Sequence, residues 1–187
     1  MSILFHILKK EVFMYKIGDF IIYGNQGVCR VDEIGIPDVG GILEDKLYYT
    51  LSPVYSDGKI FIPVDTSIYM RPIVSESEAK EIIRQIPNIE ANIIESQNYK
   101  TTEDYYKRLL SSHKCTDLIH IMKSVYAKRQ AVKLQGKNLG HTDEKFKKIA
   151  EELLNSEFSM ALDIPREEVH QYIEESIKKL KREDDRS

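Results

Sequence analysis

Residues 20–34 read Phe-Ile-Ile-Tyr-Gly-Asn-Gln-Gly-Val-Cys-Arg-Val-Asp-Glu-Ile, which is two apolar runs separated by a glycine-rich turn. This pattern predicts two antiparallel strands, with the turn lying between Tyr23 and Val28. Because side chains alternate along a strand, residues 28, 30 and 32 should lie on one face and residues 29, 31 and 33 on the other. The buried face needs small apolar residues, so Cys29 is interpreted as a core residue and not as a reactive thiol.

Three further strand-like runs follow this pair, at residues 46–51, 59–62 and 68–73. The first two are separated by Ser56-Asp57-Gly58, which is a hairpin-turn signal. Five short strands within roughly sixty residues predict a small barrel.

After Ile73 the spacing of apolar residues changes to the 3.6-residue period of a helix. Ser75 and Glu78 have the spacing of a capping box, and Pro87 should end the helix that follows. Five helices are predicted in all, over residues 76–86 and 102–112, from residue 116, from the N-cap Thr142, and from Pro165. The fourth carries a wide apolar stripe between Phe146 and Ala161, which is typical of the central element of a bundle. The predicted fold class is therefore α+β, a five-stranded β-barrel followed by an all-α helical bundle.

Positive charge is concentrated in residues 99–149, which contain twelve Lys or Arg and only five Asp or Glu. The whole chain has 187 residues and a formal net charge of -3. Residues 74–98 and 150–187 are both acidic by the same count. Such a confined positive charge indicates a polyanionic partner, because Lys and Arg contacts to phosphates release condensed counterions. The alternative is a solvated helix face that happens to be basic.

Chemistry-bearing motifs are sparse. The chain lacks a phosphate-binding loop with its Lys, a nucleophile elbow and paired Cys or His ligands, so a binding function is favoured over catalysis and no cofactor or metal is expected. His113 and His120 could share a helix face only if one helix ran through both, and capping or surface roles are preferred for them. The two cysteines offer no disulfide pattern, which suits a cytoplasmic protein.

The apolar run Ile3–Leu8 is too short to span a membrane, so no membrane partner is expected. Because Met14 begins a stretch that looks like a natural start, residues 1–13 are interpreted as an N-terminal extension. The expected organisation is an extension (1–13), a β domain (14–73), a helical domain (74–180) and a charged tail (181–187). A monomer is expected.

The order of these parts resembles a known family. The stretches at residues 16–23 (KIGDFIIY), 27–31 (GVCRV), 48–51 (YYTL) and 60–65 (IFIPVD) look like the RNA-polymerase-interacting domain of CarD-like bacterial transcription regulators, a Tudor-like barrel also present in the transcription-repair coupling factor. In the helical half, residues 126–130 (YAKRQ), 142–145 (TDEK), 150–158 (AEELLNSEF) and 161–165 (ALDIP) resemble the CarD-like C-terminal domain. The coupling factor also carries helicase motors, for which this chain has neither length nor motifs.

The resemblance implies a global regulator of transcription initiation. Its barrel would dock on the β subunit of RNA polymerase, while its helical domain would contact promoter double-stranded DNA at the upstream edge of the transcription bubble and stabilise the open complex. For the polymerase contact, the family implies an exposed strand edge. The candidate residues there are Tyr49, Lys59, Ile60, Phe61 and Ile62. Ile60 and Ile62 could equally belong to the core, since alternation along the strand buries one register or the other.

For DNA, the cations of the basic segment are the candidates, each with a solvated surface charge as its alternative. They are Lys107, Arg108, Lys123, Lys128, Arg129, Lys133 and Lys137. Many relatives also insert a tryptophan into the minor groove, but this chain contains no Trp. Tyr99, Thr101 or Thr102 lies near the corresponding place. Two other functions stay open, a protein-only adaptor whose helical domain binds another protein, and an enzyme with a deep polar pocket.

Overall fold

Five antiparallel strands form one sheet in the N-terminal part of the computed structural model, which describes residues 15–40, 46–93 and 99–184. The strands are β1 (Phe20–Tyr23), β2 (Gly27–Gly35), β3 (Tyr48–Pro53), β4 (Ile60–Pro63) and β5 (Met70–Pro72). Their order across the sheet is β4-β3-β2-β1-β5. All five predicted strands are thus confirmed.

The turn between β1 and β2 is one turn of 3₁₀ helix, Gly24–Gln26. Gly24 and Gly27 both have positive φ, at 46° and 81°, which residues with a Cβ rarely adopt. The two glycines are therefore what allows the chain to reverse within three residues.

The expected barrel closure was wrong for the described part of the chain. The sheet is open, with β4 and β5 as its two edges and no pairing between them. These strands have only four and three residues, and Pro63 and Pro72 lack the N–H that a closing ladder would use.

One face of the sheet carries the core of this unit. Alternation places Cys29 and Val31 of β2 on that face, together with Tyr49 and Leu51 of β3 and the fully buried Ile21 of β1. The prediction for Cys29 is confirmed, and its burial raises the pKa of the thiol to about 11. Glu33 does not follow the predicted alternation.

A β-bulge between Val31 and Glu33 is the cause of that exception. Leu51 pairs with Val31 and Thr50 pairs with Glu33, so Asp32 is the extra residue on β2. Glu33 is consequently exposed, and Ile34 packs against the core in its place.

Within residues 73–93 and 99–184, five helices form the second unit. They are α1 (Glu76–Gln85), α2 (Tyr99–Leu110), α3 (Cys115–Leu134), α4 (His141–Leu162) and α5 (Val169–Asp184), with short 3₁₀ turns at Ile86–Asn88 and Arg166–Glu168. The helices agree with the prediction in number and order. The fold class is therefore α+β, and the chain divides into the compact units Met1–Pro72 and Ile73–Ser187.

Helix α4 is the central packing element, as predicted, because it contacts each of the other four helices. Its stripe of Phe146, Ala150, Leu154 and Phe158 is almost fully buried. A buried carboxylate on the same helix, Glu157, accepts a hydrogen bond from the backbone N–H of Val74 at 3.0 Å. This contact fixes the start of α1 to α4, next to the capping box of Ser75 and Glu78 that the sequence predicts.

Three predicted helix starts were displaced. Helix α2 begins at Tyr99 and not at Thr102, and the N-cap of α4 is Gly140, two residues before the predicted cap Thr142. Pro165 precedes a 3₁₀ turn, and α5 begins only at Val169. Among the helices of the described ranges, none is long and apolar enough to cross a membrane.

Candidate functional site

The predicted DNA-binding cations fall into three groups, those held by partners inside the helical unit, those at the surface of α2 and those at the end of α3. Lys123 belongs to the first group. Its ammonium donates to the carbonyls of Ile86 and Pro87, at 2.8 and 3.2 Å, and burial lowers its pKa. These carbonyls end α1, so Lys123 acts as a C-terminal cap supplied by a neighbouring helix.

Lys128 is also committed to an intramolecular partner. Its ammonium lies 2.8 Å from one carboxylate oxygen of Asp143 and 3.0 Å from the other. The Lys128 side chain is 19% exposed and the Asp143 side chain 4% exposed. Tyr106 donates its hydroxyl to the same carboxylate at 2.8 Å, and burial followed by that hydrogen bond raises the Tyr106 pKa. Lys128 is therefore part of a buried polar link between α2, α3 and α4.

Arg129 and Glu144 form a second link between α3 and α4. One guanidinium nitrogen lies 2.6 and 2.7 Å from the two carboxylate oxygens. Both side chains are nearly half exposed, so the pair can open toward solvent. A phosphate would have to compete with Glu144 for Arg129.

On α2, both predicted DNA-binding cations lie at the surface. Lys107 pairs with Glu103 one turn earlier, at 3.0 Å, and is 59% exposed. Arg108 lies over the ring of Tyr105, 5.4 Å from its centroid. Exposed pairs of this kind are weak, so both cations remain accessible to a polyanion.

Lys133 and Lys137 are exposed at the C-terminal end of α3. Neither makes an ion pair with a described residue, and the Lys137 ammonium contacts only the amide oxygen of Gln135, at 3.2 Å. The chain turns here at Gly136, whose φ is 68°. These two lysines and Arg108 are the predicted DNA-binding cations that are neither capped by backbone carbonyls nor paired with an acid in the described ranges.

The candidate polymerase contact is the edge strand β4. One edge of β4 pairs with β3, and the other edge is unpaired in the sheet. Just beyond β4, Val64 donates its N–H to the Leu47 carbonyl at 3.0 Å. Backbone N–H and carbonyl groups alternate in direction along an antiparallel strand, so those of Ile60 and Ile62 also point toward β3. The N–H and carbonyl of Phe61 point away from the sheet, where a partner strand could pair with them.

The five polymerase candidates are not equivalent. Tyr49 and Ile62 are 1% and 5% exposed and belong to the core, and Ile60 packs against that core. The Tyr49 hydroxyl accepts a hydrogen bond from the backbone N–H of Tyr15. Phe61 is partly exposed, and Lys59 is exposed at the start of the strand. Only Phe61 and Lys59 therefore offer side chains to a partner.

Lys59 also lies near an acidic group on the sheet. The Asp32 carboxylate accepts hydrogen bonds from Ser52 at 2.5 Å and from Arg30 at 2.8 Å. These two bonds, together with the charges of Arg30 and Lys59, hold the Asp32 pKa below its usual value. The bulge in β2 places this polar cluster on the surface of the sheet.

Residues 15–74 match the family model of the CarD-like/TRCF RID domain. This segment belongs to that domain family. The match covers the open sheet, including β4, and indicates an interaction with RNA polymerase. It spans less than half of the chain and ends before the helical unit. No curated protein matches the chain.

The residues considered as minor-groove wedges differ in accessibility. Thr102 is 3% exposed, so its side chain cannot reach a groove. Thr101 is exposed on the first turn of α2. The side chain of Tyr99 lies outside the described part of the structure.

Two further features of the RID-containing chain escaped the sequence-based search. Tyr126 and Leu134 of α3 are 61% and 91% exposed. The spacing of apolar residues in the sequence does not predict that these two side chains lie at the surface. The second feature is the burial of Asp143, which is 3% exposed in the first turn of α4.

Histidines 113 and 120 do not share a helix. His113 has a φ of 54° in the break between α2 and α3, while His120 on α3 lies 2.8 Å from the Tyr105 hydroxyl. Over the described ranges, no group of three or more His, Cys, Asp or Glu is placed to hold a metal ion.

Proposed function

We propose that this protein regulates transcription initiation in the bacterial cytoplasm by holding RNA polymerase and promoter DNA together. The RID domain binds the polymerase β subunit, and the helical unit contacts duplex DNA at the upstream edge of the bubble. Through these contacts it modulates the stability of the open complex. The protein acts as a monomer, and its role is binding and not catalysis.

The RID match at residues 15–74 is the observation that carries the polymerase half of the proposal. The edge strand β4 supports it physically, because an unpaired strand edge can add a strand from a partner. With Pro63 at its end, β4 offers few outward N–H groups, and that of Phe61 is central among them. We expect a short contact centred on Phe61.

The DNA half rests on the concentration of positive charge in residues 99–149 and on the resemblance of the helical unit to the CarD-like C-terminal domain. Lys133, Lys137 and the accessible cations of α2 supply positive charge in this segment, which lies between two acidic stretches of the same unit. Phosphate contacts position a protein on a duplex without reading its sequence, which suits a regulator acting at many promoters.

The polymerase contact is tested in the full-length protein by a pair of variants at one position. Phe61→Ala removes the side chain but keeps the outward N–H, whereas Phe61→Pro removes both and leaves the β3–β4 hydrogen bonds in place. Co-purification with the isolated β subunit should be weakened by Phe61→Ala and abolished by Phe61→Pro. Thermal melting of both variants checks that the sheet stays folded.

Full binding by a folded Phe61→Pro variant would exclude strand pairing through β4. If the wild-type protein also fails to bind the β subunit, the polymerase half of the proposal is wrong. If polymerase binding holds but no duplex binding is found even at low salt, the protein-only adaptor replaces the DNA half.

A further inference from the structure

We propose that the outward face of the last two turns of α3 is the surface that meets the duplex. This α3 strip consists of Tyr126, Gln130, Lys133 and Leu134, and Lys137 lies just beyond the helix. The proposal rests on the DNA-binding function proposed above and assigns it to particular residues. Lysines 133 and 137 take phosphates, and Leu134 and Tyr126 make apolar contact with the sugars and wall of the groove.

Helical geometry places the members of the strip together. At 100° per residue, Tyr126, Gln130, Lys133 and Leu134 fall within an arc of about 100°, and Tyr126 and Leu134 are about 12 Å apart along the axis. All four are exposed. Lys123, earlier on the same face, is covered by the turn that ends α1. The strip therefore begins just after the part of α3 that packs against the turn following α1.

The α3 strip carries no carboxylate. Beside it, Arg129 is neutralised by Glu144, and the partly buried Lys128 is neutralised by Asp143. Lys133 and Lys137 have no acidic partner among the described residues, so their charge faces outward. A polyanion is the complementary partner for such a surface.

The apolar side chains of the strip favour a duplex over another protein. Leu134 is 91% exposed and stands alone between two lysines, so it forms a projection and not a patch. A stable protein interface buries on the order of 800 Å² on each side and needs a contiguous apolar centre. Isolated apolar side chains beside cations, such as Leu134 and Tyr126, are instead an arrangement with which proteins contact a DNA groove.

The end of α3 holds this arrangement in place. Gly136 donates its N–H to the Lys133 carbonyl at 3.0 Å, and Lys137 donates to the Val132 carbonyl at 2.9 Å. These are the two hydrogen bonds of a Schellman motif, in which the glycine adopts the left-handed conformation. The motif ties the backbone of Lys137 to the last turn of α3.

The test measures binding of the full-length protein to a fluorescently labelled duplex of about 25 base pairs, a length that exceeds two turns of DNA. Fluorescence anisotropy is recorded over a series of salt concentrations. Lys133→Gln should weaken binding and reduce the slope of log K against log salt by about 0.9, the value for one lost phosphate contact. Leu134→Ala should weaken binding roughly fivefold to tenfold with the slope unchanged, since an apolar contact releases no counterions.

Matched controls show whether removing any exposed cation or any exposed apolar side chain would have the same effect on binding. Lys148→Gln removes a cation of α4 that is 78% exposed, and Ile93→Ala removes an apolar side chain that is 38% exposed. Both should bind the duplex like the wild type. Tyr126→Ala should behave like Leu134→Ala.

The outcomes distinguish this proposal from the function on which it rests. If the wild type binds the duplex but the strip variants match the two controls, the DNA function stands and the α3 strip is the wrong surface. A wild type that binds no duplex at low salt contradicts both. An altered slope for Leu134→Ala would also contradict the apolar role assigned to that residue.

Discussion

Asp143 joins three helices through one carboxylate. It lies on α4, binds the ammonium of Lys128 on α3 and accepts the hydroxyl of Tyr106 on α2. Gly140 leaves room for it, because a Cβ at that position would come within 3.3 Å of the carboxylate. A buried charge of this kind is tolerated only while its partners are present.

Replacing Asp143 by Ala should therefore destabilise the helical unit more than an average substitution. The Lys128 ammonium and the Tyr106 hydroxyl would both lose their acceptor in a largely buried place. Because Lys128 keeps some access to solvent, we expect a loss of roughly 3 kcal/mol in the free energy of unfolding, at the lower end for broken buried pairs. Urea unfolding followed by far-ultraviolet circular dichroism measures it. Glu144→Ala, which removes the acid of the exposed pair, is the control and should cost about 1 kcal/mol or less.

The same contact decides which variants can report on DNA binding. Lys128→Glu would set two carboxylates against each other in a buried place, so a loss of DNA binding could follow from unfolding alone. Substitutions at Lys133 avoid this difficulty, because its side chain is exposed and has no acidic partner in the described ranges.

At the scale of the element, the end of α3 depends on the backbone of Gly136. With φ at 68°, an alanine there would meet the steric penalty of the left-handed region although no neighbouring atom lies within 4 Å. We expect Gly136→Ala to lower the free energy of unfolding by roughly 1 kcal/mol and the melting temperature by a few degrees. Gly35→Ala, at a strand glycine with open space and no positive φ, is the matched control. Equal melting temperatures for the two variants would show that the left-handed turn is not required.

The elements were predictable wherever their signals are local. The capping box of Ser75 and Glu78 and the apolar stripe of α4 depend on residues close in sequence, and both are present. Closure of the sheet would require pairing between β4 and β5, and residues close together in sequence do not indicate whether two such strands pair. The bulge at Asp32 likewise arises from the pairing of β2 with β3 and could not be foreseen from alternation.

The candidate DNA site was predictable only in outline. The sequence gives the sum of charges in residues 99–149 but not which charges are already neutralised. Lys128 and Arg129 meet Asp143 and Glu144, each fifteen residues later, because α3 and α4 pack against each other. Lys123 meets backbone carbonyls that carry no sequence signal at all. After these pairings, the surface cations of α2 and the end of α3 remain available, and the spacing of apolar residues does not predict that Leu134 is exposed at the end of α3.

At the scale of the whole molecule, the two units divide the proposed work between two weak contacts. A short edge strand and a few free lysines each give modest affinity, but a protein held by polymerase meets promoter DNA at a high effective concentration. At a promoter, the polymerase contact and the DNA contact should therefore strengthen each other, whereas away from polymerase each should act by itself. Loss of either contact should remove the increase in promoter occupancy that the two give together.

A variant that combines the polymerase-edge substitution with the two strip substitutions tests this coupling. In binary assays, Phe61→Pro should lose only the polymerase and Lys133→Gln with Leu134→Ala should lose only the duplex. On promoter DNA with polymerase at about 0.15 M salt, the combination should lower occupancy no further than Phe61→Pro alone, because the duplex contact by itself is screened and weak under these conditions. Footprinting of promoter complexes measures the occupancy. An additive loss would mean that the α3 strip contacts DNA without help from the polymerase, and that the two units work independently.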